Sequence, residues 1–152
     1  MKRAFLILAL VTMPALEAQA APAQTPISIT MQNPFQFGRF AVTTGGSVTL
    51  TPAGGRTASG GVFLLSSPAW SAASFLVTGK KNQPFVITLP STVTLSNGSQ
   101  TMTVSNLTST PSGSGFFPYN GFDLKVGGRL NVNGNQAPGA YSGTLDVTVN
   151  YP

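Results

Sequence analysis

Apolar and polar residues alternate along the last stretch of the chain, and this period of two restricts the fold more than any other feature. From Tyr141 to Tyr151 the odd positions are aromatic, aliphatic or glycine, and the even positions are Ser, Thr, Asp or Asn. Successive side chains of a β-strand point to opposite faces of the sheet, whereas an amphipathic helix spaces its apolar residues three and four apart. The pattern therefore predicts a strand over residues 141–151.

Similar short runs, rich in β-branched and aromatic residues, recur through the chain and are bounded by Gly, Pro, Asn or Ser. No stretch of useful length shows helical spacing. Many short strands separated by turns predict an all-β domain built as a two-sheet β-sandwich. The predicted strands are residues 27–31, 35–42, 47–51, 61–65, 74–78, 85–89, 92–96, 101–105, 122–126, 129–132 and 141–151.

Glycine and asparagine mark the predicted turns because they tolerate a positive φ. Four tight turns are predicted at residues 44–46, 97–98, 126–128 and 133–135. The stretches 52–55 and 111–115 are expected to be longer loops, and the glycine-rich stretch 53–61 is expected to connect two strands.

A secretory leader is predicted over residues 1–20. Lys2 and Arg3 form a basic start, residues 4–11 are apolar, and Ala18-Gln19-Ala20 has the small-x-small form of a cleavage site. The apolar run of about ten residues is shorter than the ~20 residues that span a bilayer. We therefore expect export and no transmembrane segment after cleavage.

Residues 21–152 fit one domain, and they contain no cysteine to staple it. We expect an exported chain of this composition to lie in the periplasm or at the cell surface of a Gram-negative bacterium, or to be secreted.

Without Lys2, Arg3 and Glu17, six of the eight basic and two of the three acidic residues remain, and they are scattered along the chain. Nucleic-acid binding needs basic residues gathered on one surface, so it is not expected. So few charged residues are typical of a subunit whose surface is covered in an assembly.

Catalytic chemistry is poorly represented. The chain has no histidine and no cysteine, so a serine nucleophile lacks its usual base. Asp123 and Asp146 are the only acidic residues after the leader, and Asp146 falls on the polar face of the last predicted strand. We expect no enzymatic activity, no metal and no cofactor.

An aromatic cluster follows the Gly/Ser-rich loop and includes Phe116, Phe117 and Tyr119. These side chains could anchor the loop in the core. Alternatively they form an exposed adhesive patch used for adhesion or subunit contact. Stacking of a carbohydrate on Trp70 or on this cluster is a third reading.

The end of the chain resembles the C-terminal signature of chaperone–usher pilins. Gly139 is the fourteenth residue from the end, Tyr151 is the second, and apolar residues alternate between them. The resemblance implies an immunoglobulin-like fold completed by a strand from a partner. It also implies a periplasmic chaperone, an outer-membrane usher and identical or related subunits as partners. The residues implied in assembly and chaperone recognition are Gly139, Leu145, Val147, Val149 and Tyr151.

The body of the chain resembles the bacterial domain-of-unknown-function family 4402, which is similar in turn to the spore-coat-U-like pilins of archaic chaperone–usher systems. The resemblance covers residues ~27–152 and implies export and a β-sandwich. The segments that carry it are Phe37-Gly38-Arg39-Phe40, Gly60-Gly61-Val62, residues 73–79, 87–90 and 95–98, Val126-Gly127-Gly128-Arg129-Leu130 and Gly139-Ala140-Tyr141-Ser142-Gly143.

Two functions remain open at this point. The first is a secreted structural or adhesive subunit of a fimbria-like fibre, assembled by donor-strand complementation. Within residues 21–31, Ile27, Ile29 and Met31 would then be either the donor strand or the first strand of the domain. The second is a self-contained secreted β-sandwich that binds a ligand such as a cell-surface glycan.

Overall fold

The computed structural model describes residues 23–66 and 70–152. The predicted leader lies outside the described residues. Ten strands and no helix are present in these two ranges, so the prediction of an all-β domain is confirmed. Accordingly, the described ranges hold no helix long and apolar enough to cross a membrane.

All strand pairs are antiparallel, and the strands form one large and one small sheet. The strands are β1 (Ser28–Asn33), β2 (Phe40–Leu50), β3 (Arg56–Leu64), β4 (Ala73–Thr78), β5 (Pro84–Thr88), β6 (Val93–Ser96), β7 (Thr101–Thr110), β8 (Ser114–Phe116), β9 (Phe122–Val132) and β10 (Thr148–Asn150).

The long strand β9 organises the seven-stranded sheet. Its first half pairs with β4, which carries β1, and its second half pairs with β2, which carries β3. Along its other edge β9 pairs with β7 through both halves, and β7 carries β6. The small sheet has the order β10-β5-β8. The two long edges of β9 thus collect six strands around one central element.

Two clusters of buried side chains form the core. One lies between the small sheet and the β4 half of the large sheet, where Phe85, Ile87 and Val149 meet Val77 and Leu124. The other lies on the β2 half and is covered mainly by side chains of irregular segments, among them Phe35, Tyr141 and Leu145. A sheet face must be covered to bury its apolar side. The small sheet covers only one half, and loops and the C-terminal segment cover the rest.

The prediction of a turn at residues 126–128 was wrong, because Gly127 and Gly128 lie inside the continuous strand β9. A Cβ on Gly127 would overlap the carbonyl oxygen of Leu50, and one on Gly128 would lie 3.0 Å from side-chain carbons of Val104 and Leu107. Glycine in a strand can mark a close backbone approach rather than a turn. The two predicted strands on either side are therefore one.

The glycines at residues 44–46 likewise lie inside a strand and not at a turn. They interrupt the pairing of β2 with β3, whose register shifts between Val42 and Gly46. A Cβ on Gly46 would overlap the carbonyl oxygen of Ser59. The glycines therefore permit a β-bulge, and this bulge joins two strands predicted separately.

Further boundaries differ from the predictions. Residues 35–39 form only one isolated bridge, between Gln36 and Ser71, whereas β3 begins already at Arg56 within the stretch expected to be a connection. Ser114–Phe116 is the short strand β8 rather than part of a loop. Glycine is a weak strand former, so residues 114–116 form a strand because they pair with β5 and not because of their own preference.

Candidate functional site

The C-terminal segment is mostly not a strand, which corrects the prediction for residues 141–151. Only Thr148–Asn150 pairs as a strand, with β5, while Ser142 forms an isolated bridge with Ser96. The alternation is nevertheless used for packing. Tyr141 contacts the first core cluster, Leu145 both clusters, and the remaining odd-numbered apolar residues, Val147, Val149 and Tyr151, the second. The segment crosses from one cluster to the other, which prevents continuous pairing with one neighbour.

The segment starts at a bend at Gly139, whose φ is +144°. A Cβ there would meet only the Nδ2 of Asn97, at 3.6 Å, so the conformation rather than space requires glycine. Just beyond, the Tyr141 hydroxyl donates to the carbonyl oxygen of Ala137 at 2.8 Å and accepts from the Gln136 amide at 2.8 Å. These two bonds join residues on either side of the bend.

Strand β10 is an edge of the small sheet and pairs on one side only. Its neighbour is β5, with Val149 opposite Ile87. Within the described residues, no further backbone hydrogen bond to residues 148–150 closes the other side. An unpaired strand edge presents a row of N–H and C=O groups that another strand can bind.

Strand β1 is the corresponding edge of the large sheet. It pairs with β4, and Ile29 and Met31 stand directly opposite Val77 and Phe75. Residues directly opposite each other share a face, so both side chains lie on the face that carries the core. Yet Ile29 is 38% and Met31 63% exposed, whereas Val77 is completely buried. The small sheet does not reach far enough to cover β1.

The exposed core face of β1 and the free edge of β10 form what we call the open seam. A groove of about 310 Å³ lies at one end of it, lined by residues 24–27 and 149–151. Across this groove the Tyr151 hydroxyl donates to the carbonyl oxygen of Thr25 at 2.8 Å and accepts from the Lys80 amide at 2.8 Å. Ile27, just before β1, packs against the second core cluster.

The lining of the groove carries no charged side chain; it consists of Gln24, Thr25, Pro26, Ile27, Val149, Asn150 and Tyr151. Apolar side chains and backbone polar groups are what an extended peptide with alternating residues can bind. Apart from backbone groups, the polar groups of the lining are the amides of Gln24 and Asn150 and the hydroxyls of Thr25 and Tyr151.

The other predicted site residues lie elsewhere. Phe117 is buried in the second core cluster, whereas Phe116 and Tyr119 are 70% and 80% exposed. The cluster therefore divides into one anchor and two exposed rings. Trp70 is partly exposed, but the Arg56 guanidinium lies 5.2 Å from the centre of its ring. The carboxylates of Asp123 and Asp146 are exposed, and the described ranges contain no group of three or more potential metal ligands.

Sequence reasoning identified Tyr151 and the alternating tail but missed the partners of the Tyr151 hydroxyl. Thr25 and Lys80 contribute backbone atoms, which any residue carries, so no sequence signal could have indicated them. It also missed the unequal burial of Ile29 and Val77, because alternation shows which face a residue occupies and not how far the opposite sheet extends.

Comparison with known proteins gives a family and no further relatives. No curated protein and no solved structure matches the chain significantly. The family model described as Domain of unknown function (DUF4402) matches residues 27–151, which include every strand of both sheets. The chain therefore belongs to the DUF4402 family.

Proposed function

We propose that this protein is an exported, non-enzymatic subunit of a fimbria-like surface fibre and that a strand from a partner completes its open seam. The observation that carries the proposal is the exposure of Ile29 and Met31 on a core face beside the free edge of β10. A strand added to β10 would extend the small sheet over β1. Burial of these two side chains would then stabilise the complex, and so would the backbone hydrogen bonds gained by the added strand.

Two other observations support an immunoglobulin-like architecture and an assembling role. The Tyr141 hydroxyl donates to a backbone carbonyl four residues upstream, and the tyrosine corner of immunoglobulin-like domains contains a similar hydrogen bond. Charged residues are rare over the whole chain, which favours a surface that is covered in an assembly. Export through the periplasm, with a chaperone and an outer-membrane usher as partners, belongs to the same proposal.

The test separates assembly from folding by placing a charge in the seam. In Met31→Lys the new ammonium group stays in water in the single chain, because the side chain is already largely exposed, so the melting temperature should fall by no more than about 3 °C. A strand lying over it would have to bury that charge, so assembly should be lost. Phe63→Lys is the matched control, since Phe63 is 57% exposed on the edge strand β3, away from the seam.

Assembly is measured after expressing the full chain with the chaperone and usher of its source bacterium. We expect ladders that withstand detergent and dissociate on heating, present for the wild type and Phe63→Lys and absent for Met31→Lys. A wild-type chain that stays a monomer with these partners would overturn the proposal. Unchanged ladders from the Met31→Lys chain would do so as well.

A further inference from the structure

The outer face of the small sheet carries an exposed aromatic surface that the seam does not use. In the pairing of β5 with β8, Pro84 stands opposite Phe116 and Val86 opposite Ser114. The intervening pair, Phe85 and Gly115, faces the core, so these four side chains point outward. Phe116 and Tyr119 are the most exposed large apolar residues of the described chain. We call the surface formed by Phe116, Tyr119, Val86 and Lys81 the aromatic platform.

Phe117 anchors the backbone of the platform in the core. Between the two exposed rings, Phe117 is buried, and its ring centre lies 5.0 Å from that of Phe85 and 5.7 Å from that of Tyr151. Its backbone N–H donates to the carbonyl oxygen of Gln83, and its own carbonyl oxygen accepts from Asn82. Exposed aromatic rings on a fixed backbone lose little conformational entropy when a ligand binds them.

Positive charge borders the platform. The Lys81 ammonium lies 5.4 Å from the centre of the Tyr119 ring, within the range of a cation–π contact, and Lys80 is its neighbour in the chain. Both lysines are exposed, and neither has a carboxylate within salt-bridge distance among the described residues. An acidic group on a ligand could therefore bind here without displacing an existing ion pair.

Polar groups continue the same outward face away from the rings. In the pairing of β5 with β10, Val86 stands opposite Asn150, and Thr88 stands opposite Thr148. The face thus combines aromatic rings, hydroxyl and amide groups, and two adjacent cations. Pyranose rings have one apolar C–H surface and a rim of hydroxyl groups, so this chemistry matches a sugar more closely than the largely apolar centre of a protein–protein interface.

We propose that the aromatic platform binds an acidic polysaccharide whose sugar units carry carboxylates. Phe116 and Tyr119 stack on the sugar rings, and Lys81 with Lys80 binds the carboxylate. This site lies on the outward face of the small sheet and does not require the open seam to be filled. The outcome of a test of this binding site is therefore independent of whether the proposed assembly occurs.

The test uses the full chain and affinity electrophoresis in gels that contain polygalacturonate, with methyl-esterified polygalacturonate as the neutral polymer of the same backbone. We expect retardation by the acidic polymer that weakens as salt is raised, because the lysines are exposed. Phe116→Ser and Tyr119→Ala should each weaken binding by about fivefold or more. Lys81→Gln should reduce the preference for the acidic over the esterified polymer.

The control is Phe63→Ser, which removes another exposed ring, from β3, and its retardation should equal that of the wild type. All four substitutions are at exposed positions, so circular dichroism melts should stay within about 3 °C of the wild type. Equal retardation by both polymers, or retardation unaffected by Phe116→Ser and Tyr119→Ala, would overturn the proposal. So would absence of binding at low salt together with a loss of self-association in Tyr119→Ala, which would assign the platform to subunit contact.

Discussion

The hydroxyl group of Tyr151 donates a hydrogen bond of 2.8 Å to the carbonyl oxygen of Thr25, 126 positions earlier in the chain. The Tyr151 hydroxyl oxygen also accepts a hydrogen bond from the backbone N–H of Lys80, in the connection between β4 and β5. The Tyr151 ring packs edge-on against the ring of Phe117, with the two ring centres 5.7 Å apart. One side chain thus joins the segment before β1, the end of β10 and the backbone under the aromatic platform.

Replacing Tyr151 by Phe should separate the hydroxyl from the ring. The variant loses both hydrogen bonds but keeps the contact with Phe117, so we expect a loss of about 1 kcal/mol in the free energy of unfolding. Tyr151→Ala also loses the ring packing and should cost about 3 kcal/mol. Urea denaturation measures both. Tyr119→Phe is the control, since the hydroxyl of this exposed residue makes no such bonds to residues 23–66 and 70–152. Equal losses at the two positions would contradict the assignment.

Val149→Ala should test whether the short strand β10 is part of the core. Val149 is 5% exposed and lies in the second cluster, so the shorter side chain leaves a cavity and should cost about 2 kcal/mol. The adjacent Thr148→Ala changes an exposed side chain and should alter stability by less than about 0.5 kcal/mol. Thermal unfolding of both variants gives the comparison. A Val149→Ala change as small as that of Thr148→Ala would show that β10 is not packed as described.

Gly127→Ala should be far more damaging than substitution of a turn glycine. Its Cβ would overlap the backbone of Leu50, which cannot move without separating two strands, so we expect a loss of about 3 kcal/mol or an insoluble chain. Gly98 has open space around it and a φ of +97°, so Gly98→Ala should cost only about 1 kcal/mol of backbone strain. Soluble yield and denaturation midpoints distinguish the two. The order of the two losses, rather than their size, is decisive.

Arg56→Lys should loosen the polypeptide around β3. The guanidinium donates to the carbonyl oxygens of Arg39, at 2.6 Å, and Leu65, at 3.2 Å, and burial lowers its pKa. A lysine ammonium cannot reproduce this fork or its stacking on Trp70, so we expect a loss of about 1–2 kcal/mol.

Arg129→Lys is the matched control for Arg56→Lys. Arg129 is exposed and its Nε donates to the Ser47 hydroxyl, so the substitution should cost less than about 1 kcal/mol. Hydrogen exchange of the Leu65 amide, which donates to Arg39, should accelerate only in Arg56→Lys. Equal acceleration in both variants would contradict the role assigned to Arg56.

Much of the fold could be predicted from local patterns. Strands such as β4 and β5 show the alternation and the bounding turn residues that identify a strand without knowledge of its partner. Two of the errors occurred where glycine was read as a turn signal, at residues 44–46 and 126–128. Glycine there allows neighbouring backbones to approach, and a single sequence does not distinguish close approach from a turn.

The candidate site could be predicted only in part. Alternation and resemblance to pilins indicate Ile27, Ile29, Met31, Val149 and Tyr151 but not Thr25 or Lys80. The arrangement of these residues in space could not be predicted from the sequence. It depends on how far the three-stranded sheet extends over the seven-stranded one. Phe116 and Phe117 make the same point, since neighbours of equal chemistry differ between exposed and buried.

The amino-acid sequence by itself determined the all-β fold class, the side of each strand that faces the core and the family to which the chain belongs. These properties follow from side-chain chemistry and from the two-residue period of an extended backbone. Only the tertiary structure decided that residues 141–147 pack with no more pairing than one isolated bridge, that β10 has one free edge and that Ile29 and Met31 lie uncovered. Those outcomes depend on contacts between segments far apart in the chain, which no local pattern specifies.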